Sequence, residues 1–282
     1  MYDKTSQSPC VTLGGFLCEG AFRMRHHRVY VSLPRAFIGM ALALVFAWYG
    51  FTTTPLLYVL PAQMQPAYMR RAPQVRLSQP TQWSGEHYPD YVRVVSGAYI
   101  DSDVPVGAVV YSPLDAYGRA VKVEGCVTYD MMQHGSKRQR EELPNPSGWG
   151  YNKKVAIELP KGRVYHGWFW NRSHMLAKSL GGEEKLENLV CGTRMQNVGA
   201  HDDKGGMDYC EAKTRLWLKS HPDGYVYYIV TALYRADELV PRSVVVDMLS
   251  SDHTINEEVE VYNTALGYEI NYNDGTFNQK SE

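Results

Sequence analysis

The residues of this sequence that are best suited to chemistry lie in one central segment, residues 169–215. Within it His174 follows Arg172 by two positions, and Asn197 comes later in the same segment. A neutral histidine accepts a proton readily near pH 7, and the guanidinium fork of an arginine binds phosphate oxygens bidentately. An asparagine amide offers the kind of hard oxygen ligand that Mg²⁺ prefers. These residue types suit hydrolysis of a phosphodiester, which requires an activated water, a cation and groups that hold the phosphate.

Further polar residues of the segment extend this set. Glu211 and Arg215 are four positions apart, so they lie on one face of a helix, and Asn188 lies between His174 and Asn197. Taken singly, each signal also has an ordinary structural explanation. A histidine after an aromatic strand is often simply packed, an asparagine near a glycine often forms a turn, and a Glu–Arg pair is often a surface ion pair.

Three stretches of the segment, taken together, resemble a known family. The run NRSHMLAKSLGG is followed by NLVCGTRMQN and then by GGMDYCE. This succession is similar to the DNA/RNA non-specific endonuclease family, in particular to its branch of DNA-entry nucleases and streptodornases. The upstream run YSPLDAYGRAVKVEGCVTYD and the downstream run VPRSVVVDM are also similar, so the resemblance extends over roughly residues 91–276.

The resemblance implies a role for each polar residue of the segment. It makes His174 the general base and Asn197 the ligand of a single Mg²⁺, for which Mn²⁺ can substitute. It assigns Glu211 to the hydrated metal. Arg172 and Arg215 would stabilise the negative charge of the phosphate.

Two positions depart from the family pattern. Asn171 and Ser173 stand where the family's D-R-G-H segment has an acidic residue and a glycine. Asn171 would therefore support the site as an amide, together with the more distant Asn188. Because the expected base His174 and the expected metal ligand Asn197 are both present, we expect an active enzyme.

The resemblance also implies the reaction. A water activated by His174 would attack phosphorus in line while the bond to the 3′ oxygen breaks. Mg²⁺ would polarise the phosphate and stabilise the leaving 3′ oxygen, and the products would carry 5′ phosphates. The substrate would be DNA, with RNA as a second candidate, cut with little sequence preference because backbone contacts carry no sequence information. Two alternatives stay open: a catalytically inactive module that binds nucleic acid at the cell surface, and a secreted nuclease toxin. The sequence identifies no protein partner.

The elements that must position these residues are predicted from periodicity. Short runs rich in Val and Tyr indicate strands, and one run of strong helix formers with an apolar stripe that includes Tyr209, Leu216 and Trp217 indicates a helix. The expected fold is α+β, with a central antiparallel sheet and a ββα-metal motif. The predicted strands are residues 91–96, 108–111, 120–128, 226–234 and 243–249, the helix is 207–220, and 131–149 is a polar loop.

A long apolar segment precedes the expected catalytic domain. Residues 36–60 are uncharged and follow four arginines, which predicts a transmembrane or signal-anchor helix with a cytoplasmic N-terminus. A cleaved signal peptide is the competing explanation. The predicted organisation is a basic tail at 1–35, the membrane segment at 36–60, a linker at 61–90 and a nuclease domain at 91–282, held at the membrane or secreted, outside the cytoplasm.

Charge and cysteine usage set two further limits. The net charge of −1 does not indicate a polyanion binder, so nucleic-acid affinity must come from a local basic patch and a metal ion. In an oxidising compartment five cysteines leave at least one unpaired thiol or an intermolecular bond, and we expect structural burial for each. His201, Asp202 and Asp203 form a rival metal cluster, but their loop HDDKGG is more typical of a solvated turn.

Overall fold

A computed structural model of the protein describes residues 76–139, 142–201 and 204–281. The predicted basic tail and membrane segment, and the first part of the predicted linker, lie outside the described residues. Asp202 and Asp203 lie outside them as well. Within the described part of the chain, no helix is both long enough and apolar enough to cross a membrane.

The described residues alternate between strands and helices. The strands are β1 (Val92–Ser96), β2 (Val109–Tyr111), β3 (Lys122–Thr128), β4 (Lys154–Leu159), β5 (Arg163–Trp168), β6 (Trp170–His174), β7 (Leu189–Thr193), β8 (Tyr225–Leu233), β9 (Ser243–Ser250), β10 (Asn256–Tyr262), β11 (Tyr268–Ile270) and β12 (Phe277–Gln279). The α-helices are α1 (Tyr129–Lys137), α2 (Arg194–Val198) and α3 (Gly206–Ser220), and 3₁₀ turns lie at Pro160–Gly162, Lys178–Leu180 and Leu186–Asn188.

Six strands form the central antiparallel sheet, in the order β1-β10-β9-β8-β3-β2. This confirms the expected α+β class and the expected antiparallel pairing of β8 with β9. Alternate residues of β9 face opposite sides of the sheet because side chains alternate along a strand. Val244, Val246 and Met248 pack in the core that also contains Trp217 and Leu218 of α3.

The other face of the sheet carries buried carboxylates that hold residues preceding β1. The Leu77 N–H donates to Glu258 Oε1 at 3.0 Å, and the Thr81 hydroxyl donates to Glu260 Oε2 at 2.6 Å. Trp83 stacks on Tyr91, with ring centroids 4.9 Å apart. Residues 76–90, which the sequence analysis assigned to the linker, therefore lie against the sheet, because their N–H and O–H groups satisfy buried carboxylates.

Two further expectations differ from the structure in detail. The predicted polar loop 131–149 begins within α1, whose N-terminus is capped by Thr128: its hydroxyl oxygen accepts from the Met131 N–H at 3.3 Å. Helix α3 forms where it was predicted, but Leu216 is 71% exposed. The buried face of α3 carries Cys210 and Thr214 instead, and Leu216 lies about 200° further round the helix from Thr214.

The thiols of the described residues are buried, as expected. Cys126, Cys191 and Cys210 are free and fully buried. Burial raises the pKa of the Cys126 thiol to about 11, so this thiol is protonated at neutral pH. Cys10 and Cys18 lie outside the described residues.

Candidate active site

The site is built on two strands and the helix that follows them. Strands β6 and β7 pair antiparallel, with His174 opposite Leu189, and the chain then enters α2 directly. The Thr193 hydroxyl oxygen caps α2 by accepting from the Gln196 N–H at 2.9 Å. A Cβ atom on Gly192 would lie 2.7 Å from the Cβ of Ser173, so a glycine at this position lets β6 and β7 pack closely.

An open cleft of about 1010 Å³ adjoins this ββα unit. Five of the seven predicted site residues line it: Asn171, Arg172, His174, Asn197 and Glu211. They come from β6, from α2 and from α3, so the fold brings together residues that are far apart in the chain. Asn188 and Arg215 are not among the described residues that line the cleft.

His174 is the last residue of β6. Burial lowers the pKa of its imidazole to about 4, although the negative charge of Glu184 opposes that shift. Its Nε2 atom is buried and has no hydrogen-bond partner among the described residues. At neutral pH His174 is therefore uncharged, which is the form that accepts a proton.

Asn197 projects from α2 toward β6. Its Oδ1 atom accepts a hydrogen bond from the Ser173 hydroxyl at 3.1 Å. Asn171, two residues before Ser173, has a buried Nδ2 without a partner among the described residues. Both asparagines line the cleft, and Asn197 offers it an amide oxygen.

Glu211 and Arg215 form the ion pair that their spacing predicts. Arg215 Nη1 lies 3.2 Å from Glu211 Oε2, and Arg215 Nη2 donates to Asp208 Oδ1 at 2.8 Å. Burial raises the pKa of the Glu211 carboxyl to about 7, while Arg215 lowers it. In this structure Arg215 contacts two carboxylates, and its predicted contact with phosphate stays a prediction.

Asn188 holds the loop that follows His174. It is fully buried, and its Oδ1 accepts from the Leu176 N–H at 2.8 Å. Its Nδ2 donates to the carbonyl oxygens of Leu176 and Glu183, at 2.9 and 2.7 Å. These contacts are consistent with the supporting role that the sequence analysis assigned to Asn188.

Arg172 is held in place by residues of the loop before β4. Its Nε and Nη2 donate to Asn145 Oδ1 at 2.9 and 2.6 Å, and its guanidinium lies 4.4 Å from the centroid of the Trp149 ring. Asn145 was not predicted as a site residue, because it lies in the predicted polar loop 131–149.

A second group that the sequence analysis missed lies on the same cleft. Glu184 and Lys178 line it and form an ion pair, with Nζ and Oε1 3.3 Å apart. Glu184 acts on the pKa of His174 through its charge. Nothing in the polar turn GGEEK marks this acid in advance, because its approach to His174 depends on the fold of the loop.

The residues of the cleft suit a divalent cation. The Asn197 amide and the Glu211 carboxylate both line it and both offer hard oxygen atoms. Among the described residues, no group of three or more His, Cys, Asp or Glu side chains is arranged to hold a metal. A site on Asn197 would therefore be sparse, with waters completing the coordination, as Mg²⁺ prefers. His201, a member of the alternative metal cluster considered from the sequence, is hydrogen-bonded through Nδ1 to Asp90.

Comparison with known proteins places the chain in a family. The profile of the DNA/RNA non-specific endonucleases matches residues 87–279. A deoxyribonuclease from Streptococcus dysgalactiae subsp. equisimilis is 41% identical over 201 residues, which cover 61% of this chain and 61% of that protein. The match thus spans less than two thirds of that relative's length.

Solved structures agree with the sequence comparison. The Sda1 nuclease with a bound zinc ion has a TM-score of 0.68 and 34% identity, over 70% of this chain and all of that one. The NucA nuclease from Streptococcus agalactiae with magnesium bound shares the fold, with a TM-score of 0.53 and 22% identity over 65% of this chain and 83% of that one. The chain belongs to the DNA/RNA non-specific endonuclease family, in its streptodornase-like branch.

Proposed function

We propose that this protein is a divalent-metal-dependent endonuclease that cleaves DNA with little sequence preference, with RNA as a second candidate substrate. The observation that carries the proposal is the convergence of His174, Asn197 and Glu211 on one cleft in a chain of this family. The bound zinc ion of the Sda1 structure supports a divalent cation. The hard oxygen atoms of the cleft favour Mg²⁺, with Mn²⁺ as a substitute.

The residues of the cleft would divide the reaction between them. His174 lines the cleft and is uncharged at neutral pH, so its imidazole accepts a proton from the attacking water. Arg172, held by Asn145 and Trp149, donates to the phosphate oxygens, and Asn171 lines the same cleft as a supporting amide. A divalent cation on Asn197 and near Glu211 would supply electrostatic stabilisation of the charge that develops on the phosphate.

The charge around the cleft suits a polyanion although the chain as a whole does not. Arg138, Arg172 and Lys178 line the cleft, and a local basic surface rather than net charge supplies phosphate affinity.

For location, we propose that the protein acts outside the cytoplasm. The apolar residues 36–60 support this location, because they could serve as a membrane anchor or as a signal sequence.

Cleavage of supercoiled plasmid by the full-length protein tests the proposal directly. We expect nicked and linear products in Mg²⁺ or Mn²⁺, none in EDTA, and fragments that carry 5′ phosphates. DNA binding without cleavage in any divalent metal would instead establish the alternative of an inactive binding module.

The pH dependence of cleavage should depend on the metal concentration. The pKa of Glu211 is raised to about 7 and that of His174 is lowered to about 4, so Glu211 loses its charge first as the pH falls. A cation beside Glu211 favours the ionised carboxylate. We therefore expect the acidic limb of the kcat/KM profile between pH 5 and 9 to move to lower pH as Mg²⁺ is raised.

The matched variant for this measurement is Glu211→Gln, which cannot ionise. Its kcat/KM profile should lack the acidic limb near pH 7 but should keep any decrease that protonation of His174 causes at lower pH. A limb that stays at the same pH at every Mg²⁺ concentration would show that Glu211 does not face the cation.

A further inference from the structure

Ser173, which departs from the family pattern, is hydrogen-bonded to Asn197, the expected metal ligand. Ser173 lies on β6 between Arg172 and His174, and its hydroxyl donates to Asn197 Oδ1 at 3.1 Å. We propose that Ser173 is a positioning residue, which orients the Asn197 amide and thereby sets the affinity of the cleft for its divalent cation. This inference rests on the proposed function.

The bond is enclosed by close packing between β6, β7 and α2. Ser173 is fully buried, and its Cβ lies only 2.7 Å from where a Cβ on Gly192 would be. The serine is therefore held in a position from which it reaches the side chain of Asn197, 24 residues later in the chain.

The chemistry of an amide explains why this contact matters. A terminal amide presents an oxygen and a nitrogen of similar size, and only the oxygen ligates a cation. A hydroxyl donor holds the oxygen at one position and uses one of its two lone pairs, which leaves the other for the metal. Among the described residues, the hydrogen bond from Ser173 is the one that the Asn197 side chain makes.

Removal of the hydroxyl should therefore change metal affinity more than catalysis. The loss of a group that orients a metal ligand typically weakens metal binding by about ten- to a hundredfold. For Ser173→Ala we expect the half-saturating Mg²⁺ concentration for plasmid cleavage to rise by about tenfold. At saturating Mg²⁺ we expect the rate to return to within about threefold of the unmodified protein, because the base and the phosphate ligands are intact.

The experiment measures two quantities on the full-length protein. The first is the rate of cleavage against Mg²⁺ concentration, which separates half-saturation from the maximal rate. The second is Mn²⁺ binding by calorimetry without nucleic acid, which needs no activity. Ser173→Gly, the residue of the family pattern, is measured beside Ser173→Ala and should show the same rise in both half-saturation and Mn²⁺ dissociation constant.

Ser243→Ala is the matched control. Ser243, the first residue of β9, is also fully buried and does not line the cleft. Its hydroxyl donates to Glu260 Oε1 of β10 at 2.9 Å. This variant also loses a hydrogen bond from a buried serine, here to a carboxylate, so it reports any general effect of lower stability. We expect its metal dependence to equal that of the unmodified protein.

The outcomes separate this inference from the proposed function. Unmodified protein that binds Mn²⁺ and cleaves DNA, with unchanged metal dependence in Ser173→Ala and Ser173→Gly, would overturn the positioning role alone. A lower maximal rate that excess metal does not restore would overturn it too. Unmodified protein that neither binds Mn²⁺ nor cleaves DNA would overturn the proposed function and this inference together.

Discussion

Replacement of His174 with alanine is expected to lower kcat for DNA cleavage by about a thousandfold, the middle of the range for loss of a general base. The imidazole is uncharged above pH 5 because burial lowers its pKa to about 4, and its Nε2 has no partner among the described residues. No other histidine of the described residues lines the cleft. Metal binding and DNA binding should stay unchanged because His174 is assigned to neither.

Single-turnover cleavage of plasmid, with Mn²⁺ calorimetry and DNA binding measured in parallel, checks this expectation. His134→Ala is the matched control, since His134 is exposed on α1 and does not line the cleft. The control should retain activity within about twofold, as surface substitutions usually have small effects. A His174→Ala protein that melts normally and cleaves at the rate of the control would mean that another group is the base.

Replacement of Asn197 with alanine is expected to weaken metal binding by at least about a hundredfold, because loss of even an outer partner of a metal ligand costs about ten- to a hundredfold. Cleavage at the Mg²⁺ concentration that half-saturates the unmodified protein should then be close to the background measured in EDTA. The physical reason is that Asn197 offers the amide oxygen of the cleft, and no larger group of metal-binding side chains is available among the described residues.

Two companion variants sharpen this test. Asn197→Asp keeps an oxygen ligand, so we expect it to retain Mn²⁺ binding. Gln196→Ala removes an amide from the same helix, but Gln196 is fully buried and does not line the cleft. Metal affinity should be unchanged in Gln196→Ala. Equal losses of metal affinity in Gln196→Ala and Asn197→Ala would point to disruption of α2 rather than to loss of a ligand.

Local patterns were enough to predict most of the sheet and the main helix. Strands β8 and β9 consist mainly of Val, Tyr and other residues with high strand propensity, and α3 has strong helix formers at helical spacing. The Glu211–Arg215 ion pair was predictable for the same reason, because four residues make about one helical turn. Order along the chain, together with the family resemblance, was enough to nominate His174 and Asn197.

The sequence pattern was less informative where packing rather than periodicity decides. Helix α1 forms inside a stretch that is polar enough to resemble a loop, because Thr128 caps it and Met132 is buried in the core. Residues 76–90 have no sustained period. They lie against the sheet because Glu258 and Glu260 accept hydrogen bonds from Leu77 and Thr81.

The sequence by itself thus determined the family, the class of fold and the residue types that are available for chemistry. The tertiary structure decided how those residues are placed and charged. The contacts of Arg172 with Asn145 and of Ser173 with Asn197 join positions 27 and 24 residues apart, so no local period announces them. The lowered pKa of His174 and the raised pKa of Glu211 arise mainly from burial, which exists only once distant segments have packed around them.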